Sequence, residues 1–233
     1  MNINTILSGS LLCLSAASAT AEMIKVEITN LTQGLYFTPL LVTAHSAENH
    51  LFELGVEASA ELQAMAEGGD ISGLVTIANS IGAVSEENPA GGLLPPASST
   101  ATMMMDTGDN TALSVLAMVL PTNDGFVGMD AWPIPEEAGM YTVMLNAYDA
   151  GTEANNELIL EGSGAPGVAG IPANPGGNSG HDGTGVTTEE ANDSVHVHRG
   201  NLGDSMVDSG ASDLNSSVHR WLNPVAKVVV TVY

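Results

Sequence analysis

The sequence predicts a mainly β protein, an antiparallel sandwich with one or two short helices in a connection. Three observations carry this. Many apolar segments of moderate length are separated by Gly/Pro turns, as sandwich strands are. Several of them alternate apolar and polar residues, the period of a half-buried strand. No repeat of 20–50 residues is visible, which excludes a solenoid or propeller reading.

The first strand is Met23-Ile24-Lys25-Val26-Glu27-Ile28-Thr29, with strict alternation. Residues 35–44 read as a second strand interrupted by Pro39, which suits an edge or a bulge. His45-Ser46-Ala47-Glu48-Asn49-His50 reads as a surface loop; its two histidines are badly spaced for one helix face and no HExxH pattern is present. A short helix over 59–67 follows, with Ser59 as N-cap and Gly68-Gly69 as its stop. Asp70 caps a second helical segment through Ile81, with Ile71, Leu74, Val75, Ala78 and Ile81 at helical period.

Residues 85–100 are rich in Pro, Gly and Ser and read as a loop. Residues 101–105 form a strand with three adjacent Met. Thioethers bind Cu(I), but a strand turns alternate side chains to opposite faces, which favours core packing. Asp106-Thr107-Gly108-Asp109-Asn110 is a turn and a minor second calcium candidate. Residues 112–120 are a long apolar strand, and residues 140–147 another. Residues 161–190 are Gly/Pro/Asn rich and read as a flexible excursion within one domain spanning 22–233. The chain closes on the strand Val225-Ala226-Lys227-Val228-Val229-Val230-Thr231-Val232-Tyr233.

Charge is lopsided. Four Lys+Arg face 27 Asp+Glu, a formal net charge of -23. Such a surface repels phosphate backbones and anionic membranes and attracts cations, so nucleic-acid binding is excluded as a function. Residues 1–21 read as a secretory signal with cleavage near Ala21; the apolar run is too short to span a bilayer. The single cysteine, Cys13, lies inside that run, and Leu12 before it argues against a lipid anchor. The mature chain then has no disulfide and is expected in the periplasm or outside the cell, where a core of this size suffices.

The stretch with most chemical content is residues 121–157. It holds two turns rich in oxygen ligands, Thr122-Asn123-Asp124-Gly125 and Asp149-Ala150-Gly151-Thr152-Glu153. A hairpin-like return brings them to one end of a sheet. Carboxylates four apart around a glycine, facing another carboxylate, are how a loop assembles an oxygen cage for Ca²⁺. The same residues also occur in polar turns for backbone reasons alone. Asn123-Asp124-Gly125-Phe126-Val127-Gly128, followed by Tyr148-Asp149-Ala150-Gly151-Thr152-Glu153, resembles the spondin domain, the module near the N-terminus of F-spondin and mindin. The resemblance implies a C2-like β-sandwich with one Ca²⁺ held by three acidic residues, which fall here on Asp124, Asp149 and Glu153. Glu153 stands where the animal domains have Asp, and the animal domains carry cysteines that this chain lacks. The implied function is a secreted calcium-binding module in adhesion or extracellular recognition, not an enzyme, whose partner is an extracellular protein or glycan.

The alternative is a secreted zinc or copper protein built on Val195-His196-Val197-His198. In a strand, His196 and His198 share one face, and a His-x-His pair binds Zn²⁺ or Cu²⁺ when a third ligand joins it, from His181, His219 or Asp193. No phosphate loop and no nucleophile elbow is present.

Overall fold

The structure is a computed structural model and describes residues 23–233. The expected signal segment, 1–21, lies outside the described residues. Ten strands and two helices follow in the order β1 (Met23–Asn30), β2 (Tyr36–Phe37), β3 (Leu41–His45), α1 (Ala60–Gly68), α2 (Ser72–Ser80), β4 (Val84–Glu87), β5 (Met103–Asp106), β6 (Ala112–Leu120), β7 (Gly125–Pro133), β8 (Gly139–Asp149), β9 (His196–Val197) and β10 (Ala226–Val232). All strand pairings are antiparallel, along the path β4-β3-β6-β7-β8-β10-β1-β5.

That path folds over on itself because β8 serves both halves. Its first part pairs with β10 and its last residues pair with β7. The inner faces of the two halves then share one core: Ile24, Val26 and Ile28 of β1 pack in the same cluster as Val115, Ala117 and Val119 of β6. The fold is therefore sandwich-like, mainly β with two short helices, as the sequence predicts.

Strand β6 is buried at every position. Its odd-numbered residues face the shared core, while Leu116, Met118 and Leu120 face a second cluster with Leu62, Met65 and Leu74 of the helices. Two covered faces explain why this strand reads as a continuous apolar run rather than an alternating one. Ser59 caps α1, its Oγ accepting from the Leu62 N–H at 3.1 Å, and Gly69 ends it in the left-handed conformation. Asp70 supports α2 by accepting from the Ser72 N–H at 2.9 Å.

Three expectations are corrected. The segment around Pro39 is neither an edge nor a bulge but a break between β2 and β3, which pair with different stretches of β6. His45 is not a loop residue. It ends β3 fully buried, with Nε2 bonded to Ser114 Oγ at 2.7 Å, where the β6–β7 register shifts between Leu113 and Val115. Residues 85–87 are not loop but belong to the short edge strand β4. The Asp106 turn forms as expected, its carboxylate accepting from the Gly108 N–H at 3.1 Å. The methionines alternate as expected, with Met103 and Met105 buried and Met104 exposed.

Candidate metal centre

The apolar strand β6 carries the chain into the Thr122-Asn123-Asp124 turn, and β7 starts at once from Gly125. Strands β7 and β8 form the expected return, in register Gly125↔Asp149, Phe126↔Tyr148, Val127↔Ala147 and Gly128↔Asn146. Register alone therefore places the first acidic turn beside the second. The Gly125-Phe126-Val127-Gly128 wording has a packing reason: a Cβ at Gly128 would lie 2.8 Å from the Phe52 ring. Phe52, Phe126 and Tyr148 stack there with centroids 5.1–5.7 Å apart and seal the apolar side of the hairpin end.

Asp124, Asp149 and Glu153 are only 0%, 1% and 6% exposed. Asp124 Oδ2 accepts from the Thr152 N–H at 2.8 Å, the Thr152 hydroxyl at 3.3 Å and the Glu153 N–H at 3.1 Å. Asp149 Oδ1 accepts from the Gly151 N–H at 2.9 Å, and its Oδ2 accepts from Asn155 Nδ2 at 2.6 Å. Glu153 Oε2 accepts from Asn123 Nδ2 at 3.2 Å and the Gly170 N–H at 3.0 Å. Two oxygens are left over. Asp124 Oδ1 and Glu153 Oε1 are buried without any hydrogen-bond partner. Every ion pair among the described residues uses a histidine, so no Lys or Arg neutralises these carboxylates.

Electrostatics follow from that inventory. Burial pushes the Asp124 carboxyl well above the usual range, and repulsion from Asp149 adds to it. Burial likewise raises Asp149, against the Asn155 and Gly151 hydrogen bonds. Burial pushes Glu153 from 4.5 up to about 7, opposed by the Gly170 and Asn123 bonds. Among the described residues no group of three or more His, Cys, Asp and Glu is arranged ready to hold a metal ion. The three carboxylates converge on one end of the hairpin, with two free oxygens, but they do not form a closed cage.

Glu153 makes the metal-free fold less stable as pH rises. Its folded-state pKa is raised, so its contribution to stability is full below about pH 4.5 and is lost as pH rises through about 7. In chelator, wild type is expected to lose stability relative to Glu153→Gln between about pH 5 and pH 8, read from urea midpoints. The comparison between variants cancels His198, whose burial lowers its pKa to about 3 and whose contribution runs the other way.

Gly151 sets how closely the second turn meets the chain returning at 192–194. It has φ +71°, and a Cβ there would lie 2.7 Å from Asp193 C and 2.8 Å from Asn192 O. Gly151→Ala is expected to cost roughly 1–3 kcal/mol and to detach β9 from the end of β8. Amide exchange at the His198 N–H, which donates to the Ala147 carbonyl at 3.1 Å, reads that detachment.

The two histidines of the expected His-x-His pair separate. Asp149 and His196 are direct partners in the β8–β9 register, and His196 is about one third exposed. His198 is buried, its Nδ1 accepts from the Gly200 N–H at 2.9 Å, and its ring lies against Trp221 at 4.9 Å between centroids. An Nδ1 that accepts leaves the proton on Nε2, so His198 offers no lone pair to a metal. His219 spends Nδ1 on the Asn215 N–H, and His181 pairs with Asp182 on the surface, so neither joins them.

Sequence reasoning missed the carboxylates that organise the long excursion. Glu157 accepts from the Leu202 N–H, the Gly203 N–H and the Ser212 hydroxyl at 2.6–2.8 Å. Asp213 accepts from the Ile159 and Gly183 N–H groups, and Asp204 from those of Met206, Ala211 and Ser212. These bonds tie the 158–213 region to the end of the hairpin. Asn123 was part of the quoted motif, yet its bridging role to Glu153 and to the Glu157 N–H was not anticipated.

Fold and site together define a β-sandwich that gathers buried, uncompensated carboxylates at one end of a hairpin. The chain belongs to the spondin N-terminal domain family: it matches Spondin_N over residues 29–158, which includes Asp124, Asp149 and Glu153 and stops before His196 and His198. No curated protein matches the chain. No helix among the described residues is long and apolar enough to cross a membrane.

Proposed function

We propose that this is a secreted calcium-binding β-sandwich module for adhesion or extracellular recognition, a binding protein rather than an enzyme. Membership of the spondin N-terminal family supports the coarser part, an extracellular recognition module. The observation that carries the finer part is the pair of buried, unpartnered oxygens, Asp124 Oδ1 and Glu153 Oε1, in a cluster that no Lys or Arg reaches. A buried polar group without a partner costs about 1–3 kcal/mol. A cation answers both oxygens at once and cancels the repulsion that raises Asp124.

The unpartnered donors are carboxylate oxygens, which suit a hard ion such as Ca²⁺ over a soft one. Ca²⁺ would draw Asp124, Asp149 and Glu153 together and order the 150–157 turn and the 190–196 return beside it. That ordered edge is the recognition surface in this reading, and an extracellular protein or glycan is its partner. Hydrogen exchange with and without Ca²⁺ tests the ordering. Slowed exchange confined to these two segments is expected; unchanged exchange there removes the calcium reading. Binding to immobilised glycans and matrix proteins, with Ca²⁺ or chelator, then tests whether the ordered edge recognises anything.

A further inference from the structure

We propose that the bare outer face of the β5-β1-β10-β8 half of the sheet docks a second copy of this chain. The pair is a weak two-fold dimer, held by exposed methionines and by Lys25 of each copy set against the partner's Glu27. None of the carboxylates of the calcium reading takes part.

The two halves of the sheet are covered differently. Outward side chains of the other half, Leu41, Leu116 and Met118, pack in one cluster with Leu62 and Met65 of α1. On this half, register sets Met104 opposite Lys25, Lys25 opposite Thr231 and Thr231 opposite Met140, so these four share a face. Lys227 lies on the same face with Met144 opposite it. The alternate residues of these strands, such as Val26 and Val230, point into the core. The outward set stays open: Met104, Met140 and Met144 are 50%, 72% and 55% exposed. One exposed Met is ordinary, but three on one sheet face make an apolar patch of adaptable side chains.

Charge names the occupant. The chain has two lysines, and both stand on this face of a protein whose net charge is -23. Every ion pair among the described residues uses a histidine, so neither lysine is paired with a carboxylate of its own copy. Glu27 and Asp106 share the face, so Lys25 and Lys227 are balanced by two acids. Two copies repel each other through an acidic surface but meet here without that penalty. The charges are also self-complementary. Lys25 and Glu27 stand two residues apart on β1, about 7 Å. A two-fold axis between the facing sheets, crossing β1 at Val26, exchanges their positions, so each Lys25 meets the partner's Glu27. At about 4.8 Å between strands and 3.4 Å per residue, the face offers on the order of 400 Å² per copy. That is the low end for a specific contact, so the dimer is weak and concentration-dependent.

Sedimentation velocity in chelator and moderate salt, over a wide concentration range, reads the dimer. Wild type is expected to move from one copy to two as concentration rises. Lys25→Glu and Glu27→Lys each set like charges together across the axis and are expected to weaken self-association by about tenfold or more. Mixed in equal amounts, the two variants regain opposite charges at both contacts and should pair with each other about as well as wild type pairs with itself. That rescue also shows that both variants are folded. Met140→Glu should weaken the dimer too, whereas Leu54→Glu, at a position 55% exposed on the loop before α1, should not. A wild type that stays monomeric at every concentration overturns the proposal. So does a dimer indifferent to the three face variants, one weakened equally by Leu54→Glu, or one that mixing does not restore.

Discussion

Asp124→Asn is expected to make the metal-free protein more stable at neutral pH, by on the order of 1–3 kcal/mol, and to abolish any stabilisation by Ca²⁺. The two halves of that expectation have one cause. Asp124 Oδ2 already accepts from Thr152 and Glu153, and an asparagine oxygen keeps those bonds. The change falls on Oδ1, which has no partner and lies in a cluster with Asp149 and Glu153. An amide there replaces an acceptor that lacks a donor with two N–H donors beside two carboxylates. It also removes one of three mutually repelling charges. A cation does the same work in wild type, so the variant should gain nothing from Ca²⁺. Urea unfolding in chelator and in Ca²⁺ measures both effects. A variant less stable than wild type in chelator, or one still stabilised by Ca²⁺, contradicts this account of the unpartnered oxygen.

The second large effect belongs to Glu157. Glu157→Ala is expected to cost about 3–5 kcal/mol, because it strands the Leu202 and Gly203 N–H groups and the Ser212 hydroxyl at one buried point. Glu157 is 3% exposed and has φ +59°, a conformation that favours glycine, so the backbone is held to present this side chain. Its own carbonyl receives the Asp213 N–H, which links the same residue to the second carboxylate of the excursion. The damage should be local at first. Proteolysis is expected between 199 and 213 before the strands open, while the β6–β7 hairpin keeps its exchange protection. Glu157→Gln retains one acceptor and should recover part of the loss. A Glu157→Ala protein with wild-type stability and uncut loops would show that the excursion is held by other means.

These residues also mark where sequence was a sufficient guide. Strand β6 was legible at both ends, 112 and 120, because a nine-residue apolar run is bounded by polar turns. The hairpin that brings Asp124 beside Asp149 was legible too, since β8 alternates and its Asp-Ala-Gly turn follows directly. The cap at Ser59 was legible because capping is a local rule with a fixed spacing.

What was not legible is long-range. Nothing near His45 shows that Ser114, 69 residues away, will receive its Nε2. Strand β4, Val84-Ser85-Glu86-Glu87, is a polar edge strand whose pairing comes from β3 rather than from its own composition. Glu157, Asp204 and Asp213 looked like three more acids among 27. Most of the backbone N–H groups they accept from lie 7 to 54 residues away, and no periodicity encodes that. The His-x-His pattern misled for a related reason. Residue spacing put His196 and His198 on one face, but the partners that decide each tautomer, Ser194 O and the Gly200 N–H, are set by the local backbone path.

The central claim is that one end of the β7–β8 hairpin is an incomplete oxygen cage that Ca²⁺ completes. Calorimetric titration of the metal-stripped protein with Ca²⁺ in moderate salt, alongside Asp149→Ala, tests it most directly. The account predicts one saturable site in wild type, lost in the variant, with a rise in Tm for wild type alone as mass action requires. Weak, unsaturable binding identical in both proteins is what a surface with a net charge of -23 gives by itself, and it would contradict the claim.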